Sequence, residues 1–576
     1  MRPMRTTRPS SWLLVLCASA SVLAAGACAK KRDSTALTDE RTSLPGRPGH
    51  GPVEQSPAQP PPVSGVTLGC DSTARASREV AAPRLVRTLP GSWEEGWLAS
   101  PTLIDLDGDG RKDIVAPRHG MLYAWRHDGT LLWRTAFGHS ANASPSTGGQ
   151  RIWASAAAAD VNGDGALELV VASDLRTESG GNVAAYDLRG NLLPGWPARF
   201  GDTEIRSITA ADVTGDGLAD VLVNKLHDGP STALFGGDGR MHPGWPQVSA
   251  ACHEASRKPC LDYGGYNQNV GAADLDGDGT KDVVTTYDLM AFGIFKGTGQ
   301  PFPAAEGFSD DVVTGIEAYH DLSLAQQGWG VGDRSEFTDS PPVLVDLDGD
   351  GKREVVLLGH HEHSESTTQR GFTLWALRPD GSRPEGWAWP KDLGPPLRTE
   401  WDGPGHNIIV QLPSLVAADL DPRAGTELLF PSSDGFLYAY DARGEQLWRR
   451  QLGNGHPFVG ISEPAVVDLN ADGSPEVVFT TWSEGTPGQP KTTAHLFVLA
   501  ADGEELHRVP LFGRGAMAAP SVADLDGDGA LEVVLSLKDA LGDGQSGVQI
   551  WTVPGSDGRC MPWPTGRANV ARTGAP

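Results

Sequence analysis

The decisive stretch is Asp105-Leu106-Asp107-Gly108-Asp109-Gly110-Arg111-Lys112-Asp113. Acidic side chains stand at positions 1, 3, 5 and 9, and glycines at 4 and 6. The spacing returns from Asp160, Asp212, Asp274, Asp346, Asp468 and Asp524, and a degraded copy starts at Asp419. Successive starts lie 49 to 73 residues apart, near the periods of propellers and arrays.

The flanks repeat as well. Small and apolar residues precede the motif, as in Ser100-Pro-Thr-Leu-Ile104 and Ala519-Pro-Ser-Val-Ala523, and a β-rich run follows, as in Leu169-Val170-Val171 and Val355-Val356-Leu357. A second hairpin around a glycine turn comes next, such as Leu122-Tyr-Ala-Trp-Arg-His-Asp-Gly-Thr-Leu-Leu-Trp133 or Phe436-Leu-Tyr-Ala-Tyr-Asp-Ala-Arg-Gly-Glu-Gln-Leu-Trp448. Each unit therefore reads as four short strands, with the acidic loop between A and B. One such unit cannot bury both faces, whereas radial stacking of several can. The 72 Gly and 44 Pro punctuate short apolar runs, as an all-β chain with many turns requires. The expectation is an all-β propeller of four-stranded blades, eight in number. Seven is the alternative, with the unit near 291–303 or 419–450 irregular.

The loop spacing has a direct chemical meaning. Alternate side chains of a tight loop converge on one centre, glycine allows the turn, and the acid at position 9 closes the cage. Hard oxygens in flexible geometry suit Ca²⁺. The expected ligands are Asp105, Asp107, Asp109 and Asp113; Asp160, Asn162, Asp164 and Glu168; Asp212, Thr214, Asp216 and Asp220; Asp274, Asp276, Asp278 and Asp282; Asp346, Asp348, Asp350 and Glu354; Asp468, Asn470, Asp472 and Glu476; and Asp524, Asp526, Asp528 and Glu532. Up to seven Ca²⁺ ions are thus predicted. The copy at Asp419 has Arg423 at position 5, which cannot ligate a cation, and is expected to be empty, with Arg423 pairing to Asp419 or Asp421. Asp-Gly turns alone would also use these residues, but four carboxylates to a loop repel one another without a cation.

The pattern resembles the FG-GAP/VCBS repeat of integrin α subunits and many exported bacterial proteins, over about residues 98–565. That resemblance implies a Ca²⁺ loop joining strands A and B of each blade. The family's Phe-Gly/Gly-Ala-Pro signature is largely eroded. The last acid at position 9, between strands, separates the loop from an EF-hand, whose closing Glu is at position 12 between helices.

The amino terminus reads as an export signal over residues 1–27: a basic start at Arg2, Arg5 and Arg8, then an apolar stretch from Trp12 to Ala27. Ala25-Gly26-Ala27-Cys28 resembles a bacterial lipobox, although Leu is usual where Ala25 stands. It implies lipidation at Cys28; ordinary cleavage is the alternative. Residues 28–80, rich in Pro, Ser and Gly, read as a flexible tether, and residues 81–576 as the propeller. Of the other cysteines, Cys252 and Cys260 bound a short loop and are expected to pair. Cys70 and Cys560 flank the ring and would lock its closure, as an exported chain permits.

Acids outnumber bases 73 to 47, a net charge of −26, and this argues against nucleic acid as a partner. The excess is local, because the eight loops hold 28 of the acids. His360-His361-Glu362-His363, placed in a blade-five loop, reads as solvated rather than metal-binding. The insertion 306–340, with Trp329 and Phe337, and the stretch Trp401–His406 are candidate ligand surfaces. No nucleophile elbow, zinc-protease motif or phosphate loop is present.

The expected function is non-enzymatic: an exported, membrane-tethered, monomeric Ca²⁺-binding propeller that binds a protein or glycan at the outer membrane or cell surface. A secreted or periplasmic protein is the alternative location. Two other functions compete. The Tyr438–Trp448 hairpin is similar to quinoprotein-type propellers, which include outer-membrane assembly scaffolds. Some polysaccharide lyases are Ca²⁺-dependent propellers of similar size.

Overall fold

The structure, a computed structural model, describes Cys70 and residues 79–576 apart from 90–95, 97, 142–149, 175–179, 228, 247–263, 266, 288–290, 304, 306–312, 315–332, 338–339, 364–370, 389, 394–413, 422–424, 433–434, 453–458, 484–493 and 539–546. The signal, Cys28, most of the tether, Cys252, Cys260, Trp329, Trp401, His406 and Arg423 lie outside the described residues. Among those described, no helix is long and apolar enough to cross a membrane.

The regular structure is β throughout, in a propeller arrangement of antiparallel sheets, one to each acidic loop. Blade one pairs Thr102–Ile104, Asp113–Arg118, Met121–Trp125 and Leu131–Ala136 in chain order, as strands A to D. Blade two has Ala157–Ala159, Glu168–Ala172 and Val183–Tyr186; blade three has Ile205–Ala211, Asp220–Lys225 and Thr232–Phe235. Isolated bridges, Val183 to Ala198 and Tyr186 to Leu192 in blade two and Phe235 to Met241 in blade three, stand where their fourth strands would be. Blade four is Val270–Ala273, Asp282–Thr286, Ala291–Phe295 and Val313–Thr314. Blade five is Val343–Val345, Glu354–His363, Gly371–Leu377 and Lys391–Asp392. Blade six is Val416–Asp421, Gly425–Pro431, Phe436–Tyr440 and Gln446–Gln451. Blade seven is Ala465–Val467, Glu476–Ser483, His495–Leu499 and Glu505–Pro510. Blade eight takes Ser521–Ala523, Leu531–Ser536 and Val548–Val553 from its own unit and Arg84–Leu89 as its outer strand. The units near 291–303 and 419–450 both form sheets.

Side chains alternate across each strand, so one strand feeds two cores. Val115, Leu122 and Ala124 of blade one pack with Leu169 and Tyr186 of blade two. Their neighbours Ile114, Ala116 and Tyr123 pack with Val534 and Ile550 of blade eight. The first and last sheets therefore share a core, as successive ones do. Covered on both faces, the B strands are continuous apolar runs. The outer Gln446–Gln451 strand has one covering neighbour and stays mostly exposed. Inner strands are short and carry small residues, as in Ala157-Ala158-Ala159, where the blades crowd together.

The inner edges of the A strands would present unpaired amides. Residues 563–576 cover them. The carbonyls of Trp563, Pro564, Val570, Ala571, Thr573 and Gly574 accept from the amides of Val466, Val522, Ala158, Ala210, Ala272 and Leu344, at 2.8 to 3.0 Å. One short segment thus bonds the inner strands of blades seven, eight, two, three, four and five, and the Arg572 Nη2 donates to Thr102 Oγ1 of blade one at 2.9 Å. Cys70 and Cys560 are disulfide-bonded, with Cα atoms 5.6 Å apart.

Tryptophans at the edge of the core join neighbouring blades. Trp133, Trp196, Trp245, Trp387 and Trp448 donate Nε1 to the carbonyls of Leu188, Gly237, Gly297, Ala442 and Ala501, each on the next blade, at 2.8 to 3.0 Å. The Trp133 indole lies over Gly190 and that of Trp448 over Gly503. A Cβ there would come within 2.7 and 2.8 Å of the rings.

Two expectations change. Phe337 is a core residue rather than part of a ligand surface: it is fully buried, with ring centroids 5.6 Å from Phe292 and 5.4 Å from Trp375. His360–His363 is not a loop. It extends strand B of blade five, where Asp333–Glu336 pairs with it beyond the A strand.

Candidate metal sites at the A–B loops

Each loop is built by its own backbone. The position-1 carboxylate accepts the amides of positions 4 and 6: Asp105 takes Gly108 at 2.7 Å and Gly110 at 2.8 Å. Asp160, Asp212, Asp274, Asp346 and Asp524 repeat this. Both glycines need left-handed backbone, with φ near 80° at Gly108 and 85° at Gly110. In blade seven Ala471 adopts φ 58° at position 4.

Position 9 opens or nearly opens strand B and is buried. Its carboxylate accepts the amide of position 2 in all eight loops, the degraded one included. The donors are Leu106, Val161, Val213, Leu275, Leu347, Leu420, Leu469 and Leu525, at 2.6 to 3.1 Å.

Three of the four expected acids meet. Oxygens of Asp105, Asp107 and Asp113 lie within 4.8 Å of one another, and so do those of Asp274, Asp276 and Asp282; Asp346, Asp348 and Glu354; and Asp524, Asp526 and Glu532. Position 5 stands outside these groups. Asp109, Asp164, Asp216, Asp278, Asp350, Asp472 and Asp528 each turn one oxygen to the amide two residues on, at 2.8 to 2.9 Å, the local bond that Asp readily makes. In the loops lacking an acid at position 3, Asn162 Nδ2 donates to Glu168 Oε1 at 2.8 Å and Asn470 Nδ2 approaches Glu476 Oε1 at 3.5 Å. Thr214 donates its amide to Asp220. In the degraded loop, Asp419 Oδ1 and Glu427 Oε1 are buried without a hydrogen-bond partner among the described residues.

Burial and like charge act together on position 9. Burial, reinforced by neighbouring loop acids, pushes Glu476 up to about 8, Glu354, Glu427 and Glu532 to about 7, and Glu168 to about 6. Burial raises Asp113 and Asp220 as well. At Asp105 burial acts upward, but the loop amides hold the carboxyl below its ordinary value. A nearby cation would favour the charged form of these carboxylates.

Some loops carry a built-in cation that the repeat pattern did not single out. Arg126, Lys296 and Arg378 each follow strand C directly. Arg126 Nη2 lies 2.5 Å from Asp107, and Arg378 Nη2 lies 3.1 Å from Asp348. The Lys296 ammonium sits 2.8, 3.1 and 2.9 Å from Asp276, Asp278 and Asp282. Burial opposes its charge, yet the three carboxylates raise its pKa, while burial still lifts Asp282 to about 6. At Asp220 the partner is His242 Nε2, 2.6 Å away. Among the described residues, the loop at Asp524 shows no Lys or Arg ion pair, and Pro554 follows its strand C. The signal was present in the sequence, as a basic residue at one fixed place in the second hairpin.

The FG-GAP-like repeat profile matches residues 105–171 and again 160–223. The chain carries FG-GAP-like repeats. Each FG-GAP-like repeat here supplies an A strand, an acidic loop and a B strand, and the same geometry recurs in the units beyond residue 223. No curated protein matches the chain. Several solved structures are similar. The V. cholerae biofilm matrix protein Bap1 is 15% identical over 83% of this chain and 92% of its own, with a TM-score of 0.39. The exotype rhamnogalacturonan lyase YesX is 15% identical over 86% and 80%, TM-score 0.46. BamB from Moraxella catarrhalis is 13% identical over 79% and 96%, TM-score 0.40.

Proposed function

We propose that this chain is a Ca²⁺-stapled propeller that binds a protein or glycan and catalyses no reaction. It is exported, held at the outer membrane or cell surface through lipidated Cys28 and the 28–80 tether, and works as a monomer. One observation carries the metal: the oxygens at positions 1, 3 and 9 of the loops at 105, 274, 346 and 524 lie within 4.8 Å of one another. Hard oxygens in a flexible loop suit Ca²⁺ rather than a transition metal. Bound there, the ion supplies the positive charge that lets the carboxylates share one turn. The loops at 160, 212 and 468 would bind with fewer acids, and the loop at 419 not at all. Of the 73 acids, 28 sit in the eight loops, where metal binding or loop structure rather than acid–base catalysis would occupy them.

A ligand that binds only the folded state raises its stability by mass action. Ca²⁺ is therefore expected to raise the Tm of the chelator-treated chain, and an unchanged melting curve would remove the metal assignment. The binding role is tested by a glycan array and a pull-down on residues 28–576, with and without Ca²⁺. Release of unsaturated products from pectic or other acidic glycans would overturn the non-enzymatic reading.

A further inference from the structure

The segment that covers the inner strands buries two guanidinium groups. Arg567 and Arg572 are 0% and 1% exposed. Arg572 is solvated by neutral oxygens: Thr565 Oγ1, Thr102 Oγ1 and the carbonyls of Gly566, Pro101, Ala156 and Ser100, at 2.7 to 3.5 Å. Arg567 is not. Its Nη2 donates to the carbonyls of Val270 at 3.0 Å and Pro342 at 2.7 Å, while Nε and Nη1 are buried with no partner.

Charge makes the gap sharper. Among the described residues the acid acting on both guanidiniums is Glu463, itself buried. Its Oε1 is taken by Trp563 Nε1 at 2.9 Å and by the Arg567 amide at 2.7 Å. Arginine does not shed its proton, so among the described residues these two buried cations face one carboxylate. A buried charge needs a counter-charge and satisfied hydrogen bonds.

Two further open groups stand in the chain just before the residues that Arg567 grips. Asn267 Nδ2 and Ser340 Oγ are also buried without partners. They lie just before the strand starts whose carbonyls, of Val270 and Pro342, Arg567 grips. The chain holds the guanidinium there at a conformational cost, with φ 62° at Arg567 and 72° at Ala568. Gly574 leaves room for it, since a Cβ there would lie 2.1 Å from Nη2.

We propose that this interior holds one small monovalent anion of the halide class, bound by Nε and Nη1 of Arg567, with Asn267 Nδ2 and Ser340 Oγ as further donors. One negative charge balances the excess, and full burial excludes a larger or polymeric anion. The site is separate from the acidic loops and does not depend on their metal.

The test is a crystal of the full propeller grown in bromide. An anomalous peak within hydrogen-bond reach of Arg567 Nη1 or Nε is expected. A position holding only water, with no anomalous signal, would overturn the proposal. In solution, Tm should rise with chloride or bromide at constant ionic strength made up with gluconate. The rise should be at least halved in Arg567→Met and in the milder Ser340→Ala and Asn267→Leu variants. A halide response equal in the wild type and in whichever variants fold, or none in the wild type, would reject it.

Discussion

The carbonyl of Cys560 accepts the amide of Asp468 at 3.0 Å. The sulfur bridge to Cys70 and the first ligand position of the blade-seven loop are thereby one residue and one hydrogen bond apart. That loop is also the most enclosed, with Asp468, Asp472 and Glu476 all buried, while Val80 and Met561 pack in the core cluster that holds Leu469.

Breaking the bridge should therefore be felt at one metal loop. The bridge closes 490 residues, and its loss costs about 6 kcal/mol in the chain-entropy picture. The Cys70→Ser/Cys560→Ser chain should melt lower and show one class of Ca²⁺ sites weakened about tenfold, ~1.4 kcal/mol, in calorimetric titration. By reciprocity Ca²⁺ should shift the thiol–disulfide equilibrium of the bridge toward the disulfide. Equal reduction with and without Ca²⁺ would separate the two elements.

The built-in cations should rank the loops. Lys296 holds three carboxylates that a metal would need, whereas the loop at Asp524 shows no such competitor. Lys296→Met should raise Ca²⁺ affinity at the blade-four loop by about tenfold, ~1.4 kcal/mol. Asp526→Ala should remove the tightest site and Asp421→Ala should change little. Terbium luminescence titration of the three variants distinguishes these outcomes.

Without metal, stability should fall as pH rises. Glu476, Glu354, Glu427, Glu532 and Glu168 have folded pKa values near 8, 7, 7, 7 and 6, above the ordinary 4.5. Their protonated forms favour folding, so this contribution is complete below about pH 4.5 and is lost through pH 6 to 8. Tm in EDTA should drop between pH 5 and 8.5. With saturating Ca²⁺ the slope should flatten or reverse, because protons and metal compete for the same oxygens. A Tm in EDTA that climbs over this range would contradict the buried-carboxylate picture.

The tryptophan clasps should carry stability in two parts. Trp196→Phe keeps most of the packing but loses the bond to the Gly237 carbonyl, at about 1 kcal/mol. Trp196→Ala also leaves a cavity, at about 3–5 kcal/mol. Urea unfolding measures both, and equal losses would place the energy in the hydrogen bond alone.

What was legible in the sequence is local. The bonds that shape an acidic loop span two to seven residues, so the spacing of Asp and Gly in nine positions determined the turn. The alternation on either side determined the strands, and repetition determined the blade. Spacing alone did not show that the position-5 carboxylate also accepts the nearby amide of position 7, as Asp278 does with one oxygen while the other reaches Lys296.

The rest was decided by contacts across the whole chain. Arg84–Leu89 joins Val548–Val553, some 460 residues away. Residues 563–576 reach the inner strands of seven blades, and Arg567 meets Val270 across 297 residues. Phe337, in a stretch without regular pattern, became core because two aromatic rings stood ready for it. No periodicity encodes such meetings. They follow from where the sheets leave edges, charges and space unfilled, and those exist only once the blades stand side by side.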